Sequence, residues 1–156
     1  MITQFDITLA EPSDAHPIAQ LSRDAIEYGL PWRWTPRRVA RSIRDSATNV
    51  VVARQAGHFL GFGIMKYEDD TAHLLLLAVQ PAHRRKGVAN ALWTWLEETV
   101  RVAGIATVQL ETRMRNAEAL SFYRRLGFDT VGMNPGYYDG VEDAMRMVKR
   151  IANMAT

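Results

Sequence analysis

The sequence predicts an α/β fold in which a mixed sheet of seven strands carries helices on both faces. Three observations lead there. Ala72–Val79 is apolar on both faces, with Leu74 to Leu77 consecutive, as in a central strand covered from two sides. Val88–Ala103 sets Val88, Leu92, Trp95, Leu96 and Thr99 at helical spacing and stops at Gly104. Asn49–Arg54 and Phe59–Tyr67 flank the turn Gln55-Ala56-Gly57-His58, which reads as a hairpin.

In chain order, the alternating Phe5–Leu9 is a short strand. Pro12-Ser13-Asp14 opens a helix that runs to about Tyr28, capped by Ser13 or Asp14 and ended by Gly29-Leu30-Pro31. Thr35-Pro36 starts a second helix with a cap residue and a proline at the first helical position. The hairpin follows, then the turn Glu68-Asp69-Asp70 and the central strand Ala72–Val79. Strict alternation there puts His73 on the side of Leu75, Leu77 and Val79. After the helix Val88–Ala103 comes the strand Ile105–Glu111. Asn116 then caps a helix through Leu126, ended by Gly127 with apolar Phe128 behind it. Asp129–Met133 and Ala144–Ile151 are the last strands, joined by a loop Asn134–Asp143.

Composition narrows the function. With 156 residues, 47% hydrophobic and 23% charged, residues 1–156 are expected to form one globular domain. The absence of Cys excludes disulfides, cysteine nucleophiles and thiolate metal sites. No apolar run approaches the ~20 residues of a membrane span. Met1–Ala10 carries Asp6 and no basic region, so it does not read as a signal peptide, and a cytoplasmic protein is expected. The 16 Arg against 3 Lys suit anionic ligands, although Arg-rich base composition gives the same bias. A net charge of +2 argues against a dedicated nucleic-acid binder.

The most informative stretch is Leu77-Ala78-Val79-Gln80-Pro81-Ala82-His83-Arg84-Arg85-Lys86-Gly87-Val88-Ala89-Asn90. A buried strand runs into a basic turn and then a helix whose start holds small residues. Unpaired N–H groups and the dipole at a helix N-terminus favour an anion such as a pyrophosphate. Gly87 and Ala89 let it approach the backbone, and Arg84, Arg85 and Lys86 add full charges.

Arg84-x-x-Gly87-x-Ala89 resembles the (Q/R)-x-x-G-x-(G/A) signature of the GNAT N-acetyltransferase superfamily. Asn116-Ala117-Glu118-Ala119-Leu120-Ser121-Phe122-Tyr123-Arg124-Arg125-Leu126-Gly127-Phe128 is similar to a second segment of that family, N-x-x-A-x-x-F-Y-x-x-x-G-F. The resemblance covers nearly the whole chain and is weakest before residue 48. It implies a mostly antiparallel twisted sheet with splayed central strands and acetyl-coenzyme A as co-substrate, without a metal. It further implies that Leu77, Ala78, Val79, Arg84, Arg85, Lys86, Gly87, Val88, Ala89, Asn90, Asn116 and Tyr123 hold the cofactor. By the same resemblance the Val79 N–H meets the oxyanion and Asn116 contacts the pantetheine. As a plain helix cap, Asn116 can serve both ends.

Acetyl transfer to an amine needs a base, an oxyanion donor and an acid for the departing thiolate. Tyr123 matches the family's acid, although the same ring at helical spacing with Ala119 and Leu126 also reads as core. Leu110-Glu111-Thr112-Arg113-x-x-Asn116 resembles the corresponding run of bacterial ribosomal-protein N-terminal acetyltransferases, in which this Glu is the base. A pair between Glu111 and Arg113 is the alternative. His73 is a weaker candidate, on a proton exit route.

The acceptor is less legible. Gly136-Tyr137-Tyr138-Asp139 through Met147 resembles the late hairpin of N-terminal acetyltransferases, which implies that Tyr137 and Tyr138 hold a peptide backbone. Leu30-Pro31-Trp32-Arg33-Trp34 departs from that family. Trp32 and Trp34 either form an aromatic, cationic substrate lip or anchor the next helix. Arg37, Arg41 and Arg44 follow at helical spacing as a basic stripe, which also reads as a plain solvated face, and an acidic peptide or anionic small molecule would fit the Trp32–Trp34 lip. A peptide or protein N-terminus is the first expectation. A small amine or amino-acid metabolite is the alternative, and a non-catalytic acyl-CoA-binding module comes third. Direct nucleic-acid or membrane binding is not expected. Trp93, off the apolar face of its helix, marks either a dimer contact or an internal one, so monomer and homodimer both stay open.

Overall fold

The computed structural model describes residues 5–151; residues 1–4, part of the segment read above for targeting, lie outside them. The order is β1 (Asp6–Leu9), α1 (Ala15–Ala25), α2 (Pro36–Arg44), β2 (Thr48–Gln55), β3 (His58–Tyr67), β4 (Thr71–Val79), α3 (Val88–Val102), β5 (Thr107–Arg113), α4 (Ala117–Arg125), β6 (Asp129–Tyr138) and β7 (Glu142–Arg150). Short 3₁₀ turns, Pro12–Asp14 and Pro81–His83, precede α1 and α3. The strands form one seven-stranded sheet in the order β1-β2-β3-β4-β5-β7-β6. Every pairing is antiparallel except β4 with β5.

Two apolar layers sandwich the sheet. Leu92, Leu96 and Val100 of α3 pack with Val108, Leu110, Phe128 and Met147 on one side. Ile18 and Leu21 of α1 and Val39 of α2 pack with Val50, Val52, Phe62 and Ile64 on the other. Trp93 belongs to the first layer, 2% exposed, with its ring edge-on to Phe128 at 5.2 Å. The packing reaches further round α3 than its apolar stripe suggests, which disposes of Trp93 as a dimer mark.

The decisive irregularity lies in β4. Ile64 pairs with Leu76 but Met65 pairs with Leu74, so Leu75 is an extra residue, a bulge that bends its strand. The ladder to β5 ends at the same place: Thr71–Leu74 pair with Thr107–Leu110, and beyond Leu74 the two strands part. The bulge also overturns the simple alternation. Val79, with Leu77 against it, lies in the layer of Ala72 and Leu74, whereas Leu76 and Ala78 lie in the other. His73 is therefore on the face opposite Leu77 and Val79.

Two boundaries move. The helix expected to reach Tyr28 unwinds after Ala25, where Glu27 N–H bonds back to Ser22 O and Gly29 takes φ +78°. The expected loop Asn134–Asp143 is mostly strand, and the turn shrinks to the residues between Tyr138 and Glu142. Pro135 and Gly136 look like strand breakers. They fall in an irregular stretch between the Asn134 and Tyr138 pairings, on an edge strand where a missing N–H is tolerated. Gly136 takes φ +63° and donates its N–H to Asp143 Oδ1 at 2.8 Å.

Candidate active site

Two cavities meet at the parting of β4 and β5. The first, about 820 Å³, runs from the start of α3 along Leu77-Ala78-Val79 to α4. The second, about 490 Å³, lies between the α1–α2 loop, the ends of β4 and β5, and the β6–β7 hairpin. Ile26, Leu77, Asn116, Ala119 and Tyr123 line both.

Ladder parity tells which β4 amides face the gap. Gln80 N–H donates to Leu60 O at 2.7 Å, and Gly61 pairs with Val79, so Gln80 and Leu60 form a hydrogen-bonded pair. Such pairs alternate along an antiparallel ladder, so Ala78 and Leu76 bond to β3 while Val79 and Leu77 turn their N–H groups toward β5. There β5 has moved away, and those amides are presented to the gap.

At the other end of the first cavity Gly87 caps α3 at φ +87°. A Cβ added there would meet a single side-chain carbon within 4 Å, Phe5 Cε2 at 3.9 Å, so the approach to the helix start is open. Arg84 and Arg85 line this end and Arg125 the α4 side, while Ala89 and Asn90 bring the first helical turn. Arg84 Nε donates to Val79 O at 3.4 Å, tying the basic turn to the strand. This set fits a coenzyme A molecule: helix N–H groups and arginines for the pyrophosphate, free strand amides for the pantetheine and thioester. Lys86 does not line the cavity, and Val88 turns into the core at 1% exposure. Asn116 Oδ1 caps α4 by accepting from Ala119 N at 3.0 Å.

Tyr123 is 8% exposed, wedged edge-on between Phe122 and Phe128 at 5.3 and 5.6 Å. Burial pushes its phenol far above the ordinary tyrosine range, so the hydroxyl stays protonated. Glu111 Oε2 lies 2.5 Å from His73 Nε2. The pair spans β4 and β5 where their ladder has just ended, and both side chains are mostly buried and line the second cavity.

Arg113 is not the partner of Glu111. It pairs in fork geometry with Glu142 at 2.6 and 2.8 Å and donates to Ile26 O and Tyr28 O at 3.0 and 2.7 Å. Those carbonyls are free because α1 unwinds early. Glu27, 8% exposed, accepts from Ser22 Oγ, Arg33 N and Trp34 N and so shapes the α1–α2 loop. Arg33 reaches across to pair with Asp139 in the hairpin turn, joining the two walls of the second cavity. Tyr137 and Tyr138 stand edge-on at 4.9 Å in that hairpin, and both line the cavity. Burial, then the Tyr137 and Glu111 charges, raise Tyr138 well above the usual range.

The tryptophans divide. Trp34 lines the second cavity at 9% exposure under the guanidinium of Arg38. Trp32 lines neither large cavity: its Nε1–H is bonded to Ala19 O at 3.2 Å and Arg23 lies over its ring. Glu27 and Arg38 had drawn no notice in the sequence. Their partners are loop amides and an indole, which no local motif records. Among the described residues no group of three or more His, Cys, Asp or Glu could hold a metal, and no helix is long and apolar enough to cross a membrane.

Residues 14–128 match the acetyltransferase (GNAT) family. The chain is 37% identical over 122 residues to the [ribosomal protein bS18]-alanine N-acetyltransferase of Escherichia coli strain K12, covering 76% of this chain and 82% of the relative. Among solved structures, the Escherichia coli ribosomal-protein-S18-alanine N-acetyltransferase superimposes with a TM-score of 0.81 at 30% identity, covering 98% and 97% of the two chains. Ard1 from Thermoplasma volcanium does so with a TM-score of 0.85 at 27% identity, covering 96% and 99%.

Proposed function

This chain belongs to the acetyltransferase (GNAT) family and is an acetyl-CoA-dependent N-acetyltransferase, and we propose that its acceptor is the N-terminal amine of a peptide or protein. One observation carries the acceptor: the cavity beside the cofactor groove is walled by the Tyr137–Tyr138 hairpin and has the Glu111–His73 pair on its inner side. An extended chain end fits such a slot, with its amine inward and its backbone beside the phenols. The relatives that acetylate a ribosomal-protein alanine favour this over a small-amine acceptor.

When bound, acetyl-CoA supplies the activated acyl group, and the protein supplies proton traffic and charge stabilisation. Glu111 accepts the proton that the amine sheds, and His73, a positioning residue, holds the carboxylate and leads the proton outward. With acetyl-CoA in the groove, the amine so freed would lie against the thioester carbon and the Val79 N–H would face the charge that builds on the acyl oxygen. Tyr123 would give its proton to the departing sulfur and recover one from the second proton that the nitrogen sheds as the amide forms. The Arg84–Asn90 segment binds the pyrophosphate through Arg84, Arg85 and backbone N–H groups, with Lys86 adding charge outside the groove. Asn116 contacts the pantetheine, and Trp34 floors the acceptor slot. We take residues 1–156 as one cytoplasmic domain, active as monomer or homodimer without direct nucleic-acid contact.

Acetyl-CoA consumption measured against a peptide array and a panel of small amines tests the reading. Turnover of peptides with free N-termini, lost when that terminus is blocked, is expected. Turnover confined to metabolite amines overturns it.

A further inference from the structure

The acceptor cavity is lined by three arginines, and two already have partners. Arg33 pairs with Asp139, and Arg113 with Glu142 and two backbone carbonyls. The carboxylates of the cavity are engaged as well. Glu111 is bonded to His73, Asp139 to Arg33, and Glu27 to the Ser22 hydroxyl and two loop amides. Arg38 differs. Among the described residues no carboxylate lies within ion-pair distance of its guanidinium. Its Cζ lies over the Trp34 indole, 3.8 Å from the ring centroid.

Stacking fixes the plane of a guanidinium while leaving its N–H edge able to donate in fork geometry to a carboxylate. Half-burial without a counter-ion is unfavourable for a cation. Desolvation, aided by Arg41 and Arg33 and opposed by Glu27, draws Arg38 below the ordinary arginine range. Position completes the argument. Glu111, Tyr137 and Arg38 all line this one cavity. An acceptor with its amine at Glu111 and its backbone along Tyr137 brings its next residues to Arg38. Behind Arg38, Arg41 continues the positive face of α2.

We propose that Arg38 is a specificity residue that selects acceptor peptides carrying Asp or Glu at one of the two positions after the N-terminal residue. The inference rests on the peptide reading above and names its substrate class. A basic residue at those positions meets like charge and is disfavoured.

The test compares kcat/KM for three peptides, Ala-Glu-Glu, Ala-Gln-Gln and Ala-Lys-Lys, each followed by the same neutral tail. Wild-type protein is expected to favour the acidic over the neutral peptide by about tenfold, the scale of one charge-assisted hydrogen bond. The preference should shrink at high salt. Arg38→Gln is expected to level acidic and neutral peptides, chiefly by raising KM for the acidic one, and Arg38→Glu to favour the lysine peptide. Thermal melts establish that each variant is folded, and the wild-type series stands without them. Equal kcat/KM for the three peptides overturns the role of Arg38 and leaves the peptide reading intact. An acidic preference that survives in Arg38→Gln also overturns it. Turnover of small amines with none of the peptides removes both.

Discussion

The two cavities of this protein are built in different ways. The groove at the start of α3 draws its basic end from one contiguous stretch, Val79 to Asn90, and presents backbone N–H groups of β4 and of the first turn of α3. The acceptor cavity takes single side chains from the α1–α2 loop, α2, β4, β5 and the β6–β7 hairpin and holds them with ion pairs across the fold. Backbone recognition needs a local conformation, so a short motif suffices. Side-chain recognition needs distant residues to meet, so its pieces change independently. Acetyl-CoA is the donor this family uses, whereas the acceptor wall is assembled from separate segments of the chain.

The sharpest way to break the comparison is at a residue common to both cavities, Tyr123. Tyr123→Phe is expected to lower kcat by about 10²–10⁴-fold, the usual worth of general acid help, with calorimetric coenzyme A affinity unchanged. Because burial raises the Tyr123 phenol, that residue is expected to add no basic limb to the wild-type pH profile; a basic limb that disappears in Tyr123→Phe would keep its role as acid but show that the phenol titrates lower than its burial implies. On the acceptor side, Glu111→Gln should lower kcat/KM by about 10²–10⁴-fold, the usual worth of general base help. His73→Phe should cost roughly tenfold, within the range of a misplaced base. Wild-type turnover in Glu111→Gln would put the base elsewhere. On the donor side, Gly87→Val forces a β-branched residue to φ +87°, at a strain of about 1–3 kcal/mol. It should weaken coenzyme A binding in calorimetry while KM for the acceptor at saturating acetyl-CoA stays put. The smallest effect concerns the scaffold. The fork to Arg113 holds the Glu142 carboxyl below its ordinary range. A depressed carboxylate stabilises the fold above its unfolded pKa and loses that contribution as pH falls through its folded value. Glu142→Gln should therefore flatten the acid side of Tm against pH, leaving neutral-pH turnover near wild type.

The same division explains what could be read from the sequence. The basic turn before α3 and the Asn116–Tyr123 helix follow from adjacent residues, and the element order follows from periodicity. The Leu75 bulge is silent in an unbroken run of leucines, yet it opens the sheet and sends His73 to the acceptor side. Pro135 and Gly136 signal a break, but an edge strand absorbs them. Trp93 looks misplaced on a helical wheel only because the wheel omits Phe128. Arg113 leaves no local trace because its partners Glu142 and Ile26 lie 29 and 87 residues away along the chain, whereas Glu27 and Arg38 find theirs close by, as loop amides and an indole that no motif records.

The parting of β4 and β5 also has a kinetic consequence. The donor groove and the acceptor cavity are distinct spaces that meet there, so both ligands can be held at once. There is no cysteine on which an acyl group could wait between two visits. Both partners are therefore present together when the bond changes, and initial-rate plots against one at fixed levels of the other intersect instead of running parallel. Free coenzyme A competes with acetyl-CoA for the groove at the start of α3. Raising the concentration of acceptor does not relieve that inhibition, because the acceptor occupies a different space.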